Sequence, residues 1–506
     1  MWRNTDECYL AFVFYIAKKY NQRGIRMAKK KVHGDYIQFV GESSNDVTGS
    51  EYLINYNNKQ ILIECGLYQS SNNSSLDSYN INSRKFQYKP SEISYVFACH
   101  AHIDHIGKLP RLVKEGFCGK IIATKDTAMI MKALLLNSAH IIRDEANSLS
   151  KKYKRKYKPI YDTEDVLKTM DLVYEYDDYN YIYQLDDVVS FQWFNNSHCL
   201  GASQLQLILH SAMSTRRVLY TSDIGSLCTD NHFVVDTEIP TMHSDVCIME
   251  STYGNCKQSS KKDRDFDLCH LRGAIETTLG RNGSVILPCF SFSRTQEILT
   301  NIFMLYAENK NFKTPVIVDS VLSCEICNIY SNILRNEDLL LWKRVLSWNN
   351  LKLVTDKDES LRIIRDKTPK IVIASSGFCT NGRVVNYLKE YLKDQNSMIV
   401  FTGYVGDNPS YLSYRIKNGS DNSRININGH YIQNKADCIT LSSFSNHANH
   451  KDLVKYGSSL KTNKLILVHG TEDSKNCLRE DLKVAISNND KTYKVVCASK
   501  DMTVRL

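Results

Sequence analysis

Short apolar runs recur along this chain, rich in β-branched and aromatic residues and separated by turn-forming stretches. Runs of that length and composition read as buried strands rather than helices. In the first half they fall at residues 36–40, 52–56, 61–63, 95–98, 120–123, 191–194, 204–209 and 217–221. A turn-rich segment at 41–50, a Ser/Asn-rich loop at 71–84 and a hairpin turn at 213–215 punctuate them. Residues 127–140 predict an apolar helix. Beyond residue 245 the pattern changes. Strands at 246–249, 284–287, 316–318, 371–374 and 398–401 alternate with helical segments such as 294–306 and 384–392, which predicts a parallel-sheet α/β unit.

Composition narrows the class. A chain of 506 residues, 42% hydrophobic and 24% charged, has room for two to four soluble domains. The net charge of +9 leans towards polyanionic partners. Its 16 cysteines are scattered through apolar strands without a secretory signal, so they read as reduced thiols in a cytoplasmic protein. Cys324 and Cys327 form a lone CxxC, better explained by helical spacing. No apolar run is long enough for a bilayer, so no membrane partner is expected. The apolar stretch 9–17 is short and follows Asp6 and Glu7, unlike a signal peptide. Residues 1–31 read as an N-terminal extension, with Met27, before Lys29-Lys30-Lys31, as a second candidate start.

The chemistry concentrates at the end of the 95–98 run. His100, His102, Asp104 and His105 lie within six residues and are followed by Gly107. Three imidazoles and a carboxylate at a strand end suit zinc, with manganese as second choice. Two further candidates also follow strands: His198, shortly before Gly201, and Asp223, in Ser222-Asp223-Ile224-Gly225.

The pattern His-x-His-x-Asp-His resembles the signature of the metallo-β-lactamase superfamily. That resemblance implies that His198 is a further ligand and that Asp223 bridges two metals. Two zinc ions ~3.5–4 Å apart can share a hydroxide nucleophile and clamp a phosphate. Where the superfamily usually ends the third strand with an Asp that orients the ligands from behind, this chain has Glu64. Glu250-Ser-Thr-Tyr-Gly254, the stretch from Leu287 to Glu297 and Ser375-Ser376-Gly377 through Arg383 look like the β-CASP domain of nucleic-acid-processing members. Ribonuclease J, the endonuclease subunit of the eukaryotic mRNA cleavage and polyadenylation machinery and compact prokaryotic relatives are similar over roughly residues 34–506. The resemblance implies roles for three more residues. His469, in Leu-Val-His-Gly, would complete the second metal. His447, in Phe-Ser-Asn-His, would protonate the leaving oxygen, and Glu250 would orient it. The family's usual Asp two residues after that His is Asn449 here. A His at position 469 is the choice of RNA-acting members.

Two features stay open on the residues alone. Lys151–Lys158 is a basic run with Tyr153 and Tyr157, either a phosphate-attracting and stacking surface or a solvated helical face. Arg294, Ser375 and Ser376 either contact RNA phosphates or serve as a core salt bridge and ordinary turn chemistry.

The expected architecture is α/β: a four-layer αββα metallo-β-lactamase fold built from residues 32–250 and 430–506, with a parallel-sheet β-CASP domain, 251–429, inserted. The expected function is hydrolysis of single-stranded RNA at a dinuclear zinc centre, with Asp104, His447 and Glu250 in the catalytic apparatus and a homodimer as assembly. The rivals are a thioester or small-ester hydrolase using the same centre and a non-catalytic RNA-binding scaffold.

Overall fold

The computed structural model describes residues 34–506 apart from 71, 73, 256–260, 407, 420–422, 490 and the side chains of 261 and 262. The expected extension 1–31, with Met27 and the three lysines, lies outside the described residues.

Strict alternation along the early strands gives the first layers. In Tyr52–Tyr56, the side chains of Tyr52, Ile54 and Tyr56 enter one core while Leu53 enters another. Ile61 and Ile63 against Leu62, and Tyr95 and Phe97 against Val96, repeat the division. A one-residue slip would exchange the two cores, so burial on both faces fixes the register. Seven strands form this first sheet in the order Thr503–Arg505, Tyr36–Phe39, Tyr52–Tyr56, Lys59–Ile63, Ile93–Phe97, Lys120–Ala123, Val173–Glu175. A second seven-stranded sheet runs Lys494–Cys497, Lys464–Val468, Val246–Glu250, Thr215–Tyr220, Ser203–His210, Val189–Asn195, Tyr183–Gln184. The two sheets share a core of Phe39, Tyr52, Phe97, Phe191, Trp193 and Tyr220, among others. Helix Lys125–Tyr153 covers the first sheet, while helices His450–Ser459 and Glu472–Asn488 cover the second. This is the expected αββα stack.

The third sheet is wholly parallel: Leu351–Val354, Val316–Asp319, Ile371–Ala374, Val285–Pro288, Met398–Phe401, Asp437–Thr440. Val285, Leu287, Val316, Val318, Ile371 and Ile373 face one core and Ile286, Ile317, Val372 and Ile399 the other. Burial on both faces explains why these strands are continuous apolar runs.

Three details differ from the sequence reading. The loop expected at 71–84 contains a helix, Ser75–Asn82, capped by the Ser74 side chain accepting from Asp77 N–H. Asn82 also bonds the backbone of Tyr68 at both its oxygen and its nitrogen. Leu76, Tyr79 and Ile81 are set among Ser, Asp and Asn, so this helix has no continuous apolar face to announce it. The helix expected at 127–140 runs from Lys125 to Tyr153, carrying the first part of the basic run. Finally, Asp437–Thr440 pairs in parallel with Met398–Phe401, so the third sheet extends past the expected division at 429/430. It is a partly exposed edge strand and carries no apolar run to announce it. Cys324 and Cys327 lie buried on helix Val321–Ile333, as helical spacing predicts.

Candidate metal centre

The sandwich brings its strand ends to one rim. Lys59–Ile63 and Ile93–Phe97 are parallel neighbours, so Glu64 and the His100–His105 segment emerge together. In the second sheet Thr215–Tyr220, Val246–Glu250 and Lys464–Val468 are parallel neighbours. Their register opposes Glu250 to Val468, which brings His469, the next residue, to the same strand end as Glu250 although the two are far apart in sequence. His198 follows Val189–Asn195, which runs in the same direction as Thr215–Tyr220. Close backbone packing holds the cluster: Ser50 N–H donates to the Asp104 carbonyl (2.8 Å), Cys65 N–H to that of His105 (2.7 Å) and His469 N–H to that of Ser43 (2.7 Å). Gly66 is required here, because a Cβ would collide with the Asp104 carbonyl.

Two donor groups converge. One comprises His100, His102, His198 and Asp223; the other comprises Asp104, His105, Asp223 and His469. Asp223 Oδ2 lies 3.8 Å from His100 Nε2, 3.7 Å from His198 Nε2 and 3.3 Å from His105 Nε2. His469 Nε2 lies 3.5 Å from Asp104 Oδ2, and His198 Nε2 lies 3.0 Å from His102 Nδ1. His100 Nε2, His105 Nε2, His469 Nε2 and Asp223 Oδ1 are buried without a hydrogen-bond partner. Buried polar atoms are rarely left so, and here they point at one another. Burial, then the neighbouring histidines, hold His100 and His198 well below the ordinary imidazole range, and His102 at about 4, so they are neutral, as metal ligands must be. Burial works against a proton on His105, but Asp223, Asp104 and Glu64 outweigh it and raise it. That excess of carboxylate charge is what a divalent cation would neutralise. The residues therefore fit two metal ions with Asp223 common to both sets.

Orienting contacts surround the donors. Ser222 Oγ lies 2.9 Å from His100 Nδ1, and Thr252 Oγ1 lies 3.0 Å from His469 Nδ1. Glu64, fully buried, accepts from Cys99 N–H (3.2 Å), with Oε1 3.6 Å from His105 Nδ1. The extra methylene thus still reaches the ligand loop. Asn196 Oδ1 accepts from the N–H groups of His198 and Gly225. Glu64, Ser222 and His469 all have positive φ, at 59°, 56° and 49°, a backbone cost tolerated where the surroundings enforce it. Ser222, Thr252 and Asn196 escaped the sequence reading. The only available signal was their adjacency to ligands or to the accessory glutamate.

His447 Nδ1 lies 3.1 Å from Glu250 Oε1, and its Nε2 lies 3.9 Å from Asp223 Oδ2. Glu250 is held in turn by the N–H groups of Ile224 (2.6 Å) and Thr252 (3.0 Å). His450 faces elsewhere, towards Gly254 and Asp481. Asn449 caps helix His450–Ser459, accepting from Asp452 N–H. Arg294 is buried, and its guanidinium engages the Thr402 carbonyl, Asn446 and Glu297. It braces the loop before His447. Ser375 Oγ donates to Ser320 Oγ, and Ser376 Oγ to the Asn381 carbonyl. Beside that turn, Gly377 packs on the ring of Phe290. Phe290 and Tyr404 expose aromatic faces on either side of Phe378. The residues of the basic run are exposed except Tyr157, which packs on Tyr79.

Comparison with known proteins finds three successive matches along the chain. Residues 45–172 match the metallo-beta-lactamase superfamily, 295–409 the Beta-Casp domain and 431–496 the Zn-dependent metallo-hydrolase RNA specificity domain. Ribonuclease TTHA0252 of Thermus thermophilus is 25% identical over 440 residues, covering 85% of this chain and 92% of that protein. An RNase J-like protein of Methanocaldococcus jannaschii is 28% identical over 382 residues, 75% of this chain and 82% of that one. Endoribonuclease YSH1 of Eremothecium gossypii is 23% identical over 473 residues; the match takes in 90% of this chain but 58% of the longer relative. A crystal structure of a protein of unknown function from Enterococcus faecalis V583 superposes with a TM-score of 0.51 at 12% identity, covering 94% of this chain and all of that one, a likeness of fold alone. With the two donor sets at one rim and all three matches in order, this chain carries a metallo-β-lactamase domain, a Beta-Casp domain and an RNA specificity domain.

Proposed function

We propose that this protein is a metal-dependent ribonuclease that hydrolyses phosphodiester bonds of single-stranded RNA with two zinc ions, manganese being the alternative metal. The observation that carries this reading is the shared position of Asp223 between two donor sets, with His447 held by Glu250 against the same carboxylate. His100, His102, His198 and Asp223 would hold one metal, and Asp104, His105, Asp223 and His469 the other. Such a pair supplies a nucleophile usable at neutral pH and neutralises charge at phosphorus. His447 Nδ1–H donates a hydrogen bond to the Glu250 carboxylate, which leaves Nε2 facing the centre. A proton on that nitrogen passes to the departing oxygen as the P–O bond breaks. Ser222, Thr252 and Glu64 keep the ligand imidazoles in the tautomer and orientation that metal binding requires.

The relatives named as ribonucleases and the RNA specificity match support RNA as substrate. Phe290 and Tyr404, exposed near the Ser375–Gly377 turn, would give unpaired bases stacking surfaces. We assign residues 32–250 and the chain after Thr440 to the catalytic sandwich, and 251–440 to the inserted domain. Among the described residues no helix is long and apolar enough to cross a membrane. A cytoplasmic location and a homodimer complete the proposal. The test is cleavage of a 5′-labelled single-stranded RNA, with zinc or manganese, by wild type and Asp104→Ala. Cleavage by wild type alone supports the reading; equal cleavage by both, or none by wild type, overturns it.

A further inference from the structure

A second, separate cluster of metal-binding side chains lies behind the His447–Glu250 pair. Helix Glu472–Asn488 carries Cys477 and Asp481, four residues apart and therefore neighbours on one helical face. Helix His450–Ser459 packs against it and begins with His450. One ligand atom from each of His450, Cys477 and Asp481 lies within 4.8 Å of the other two. His450 Nδ1–H donates to the Gly254 carbonyl at 2.6 Å. That bond fixes the tautomer of a neutral ring and leaves Nε2 with a lone pair, 2.8 Å from Asp481 Oδ2. A neutral imidazole nitrogen and a carboxylate oxygen at that distance are two acceptors facing each other. Either a proton or a cation must lie between them. The free thiol of Cys477 adds a third donor on the same side.

We propose that His450, Cys477 and Asp481 bind a zinc-class divalent cation, independent of whatever reaction the first centre performs. Imidazole nitrogen, thiolate sulfur and carboxylate oxygen make a zinc donor set. The second ring nitrogen bonded to a backbone carbonyl is the usual support for a metal-ligating histidine. A thiolate selects zinc, cobalt and cadmium over magnesium, calcium and manganese. Cys477 and Asp481 are solvent-exposed, so water completes the coordination. The position also gives such a cation a mechanical consequence. His450 is three residues beyond His447, and Gly254 is four beyond Glu250. The cation ties both segments to helix Glu472–Asn488 from behind, bracing the proton-donor pair. The rival arrangement is a protonated His450 paired with Asp481, with Cys477 as a bystander.

Cobalt separates the two. None of the donors of the first centre is a cysteine, so a thiolate-to-cobalt charge-transfer band arises outside it, and loss of the band in Cys477→Ser assigns it to Cys477. The full-length protein is loaded with cobalt(II), and its near-ultraviolet spectrum and metal content are compared with those of Cys477→Ser and His450→Gln. The expected result is a charge-transfer band and one more cobalt per chain in wild type than in either variant. The visible bands of the histidine and carboxylate centre should persist in Cys477→Ser, showing that it is folded. Absence of the band in wild type, an unchanged band in Cys477→Ser, or equal cobalt content overturns the proposal.

Discussion

Glu250 Oε1 sits 3.1 Å from Nδ1 of His447, and the N–H groups of Ile224 and Thr252 hold the glutamate in place. The two residues are 197 positions apart and meet because the chain returns from the third sheet beside the second. This contact aims the far nitrogen of His447 at the centre, and it carries a kinetic prediction. His447→Ala should lower kcat for RNA cleavage by roughly 10²–10⁴-fold while leaving metal content unchanged. Much of that loss should disappear on RNA whose leaving oxygen at the scissile bond is replaced by sulfur, because a thiolate departs without a proton. A deficit equal on both substrates contradicts proton donation by His447.

The same contact sets a pH dependence. Burial alone would lower His447, but the charge and hydrogen bond of Glu250, with Asp223 and Asp104, raise it to about 9. A proton donor is competent only below its pKa, so activity falls as pH rises through that value. Removing the Glu250 charge lowers it. Glu250→Gln should therefore move the alkaline fall of kcat/KM to lower pH. A limb that stays put or moves upward contradicts this role.

Ser222 and Thr252 contact His100 and His469, so under the proposed function they would act on the metals through these two imidazoles. Loss of such a contact typically weakens metal binding 10–100-fold. Ser222→Ala and Thr252→Ala should each lower zinc affinity by about that factor, read by competition with a chromophoric chelator. Unchanged affinity would mean that the imidazoles are oriented by packing alone.

Asn449 stands where the resemblance leads one to expect Asp, and it caps a helix. Asn and Asp are nearly equivalent at that position, whereas Ala costs about 1 kcal/mol. In denaturant titrations Asn449→Ala should lose about that much stability and Asn449→Asp should lose little. Metal content should be the same in both.

The αββα stack and the parallel third sheet were legible in the sequence because period-two alternation and continuous apolar runs are local signals. The donor cluster was legible because His and Asp crowd at strand ends, as a metal site would require. What stayed hidden depended on distant contacts. Helix Ser75–Asn82 rests on a cap and on Asn82 bonds to Tyr68, not on an apolar face. Asp437–Thr440 is recruited at a sheet edge by Met398–Phe401. Ser222 and Thr252 acquire their roles only when the strand ends converge. For Arg294 the residues alone do not choose between a phosphate contact and a core salt bridge; its burial and its contacts with Thr402 and Asn446 depend on segments distant in sequence. The cluster around His450 joins two helices, and the spacing of His450 from Cys477 gives no hint of it.

The most direct test of the central claim pairs metal dependence with the shared carboxylate. RNA cleavage is measured on wild type and Asp223→Asn before chelation, after chelation and after zinc is restored. The account predicts that wild-type cleavage is lost with the metal and returns with zinc, and that Asp223→Asn stays inactive throughout. Cleavage that survives chelation, or that Asp223→Asn performs at the wild-type rate, contradicts it.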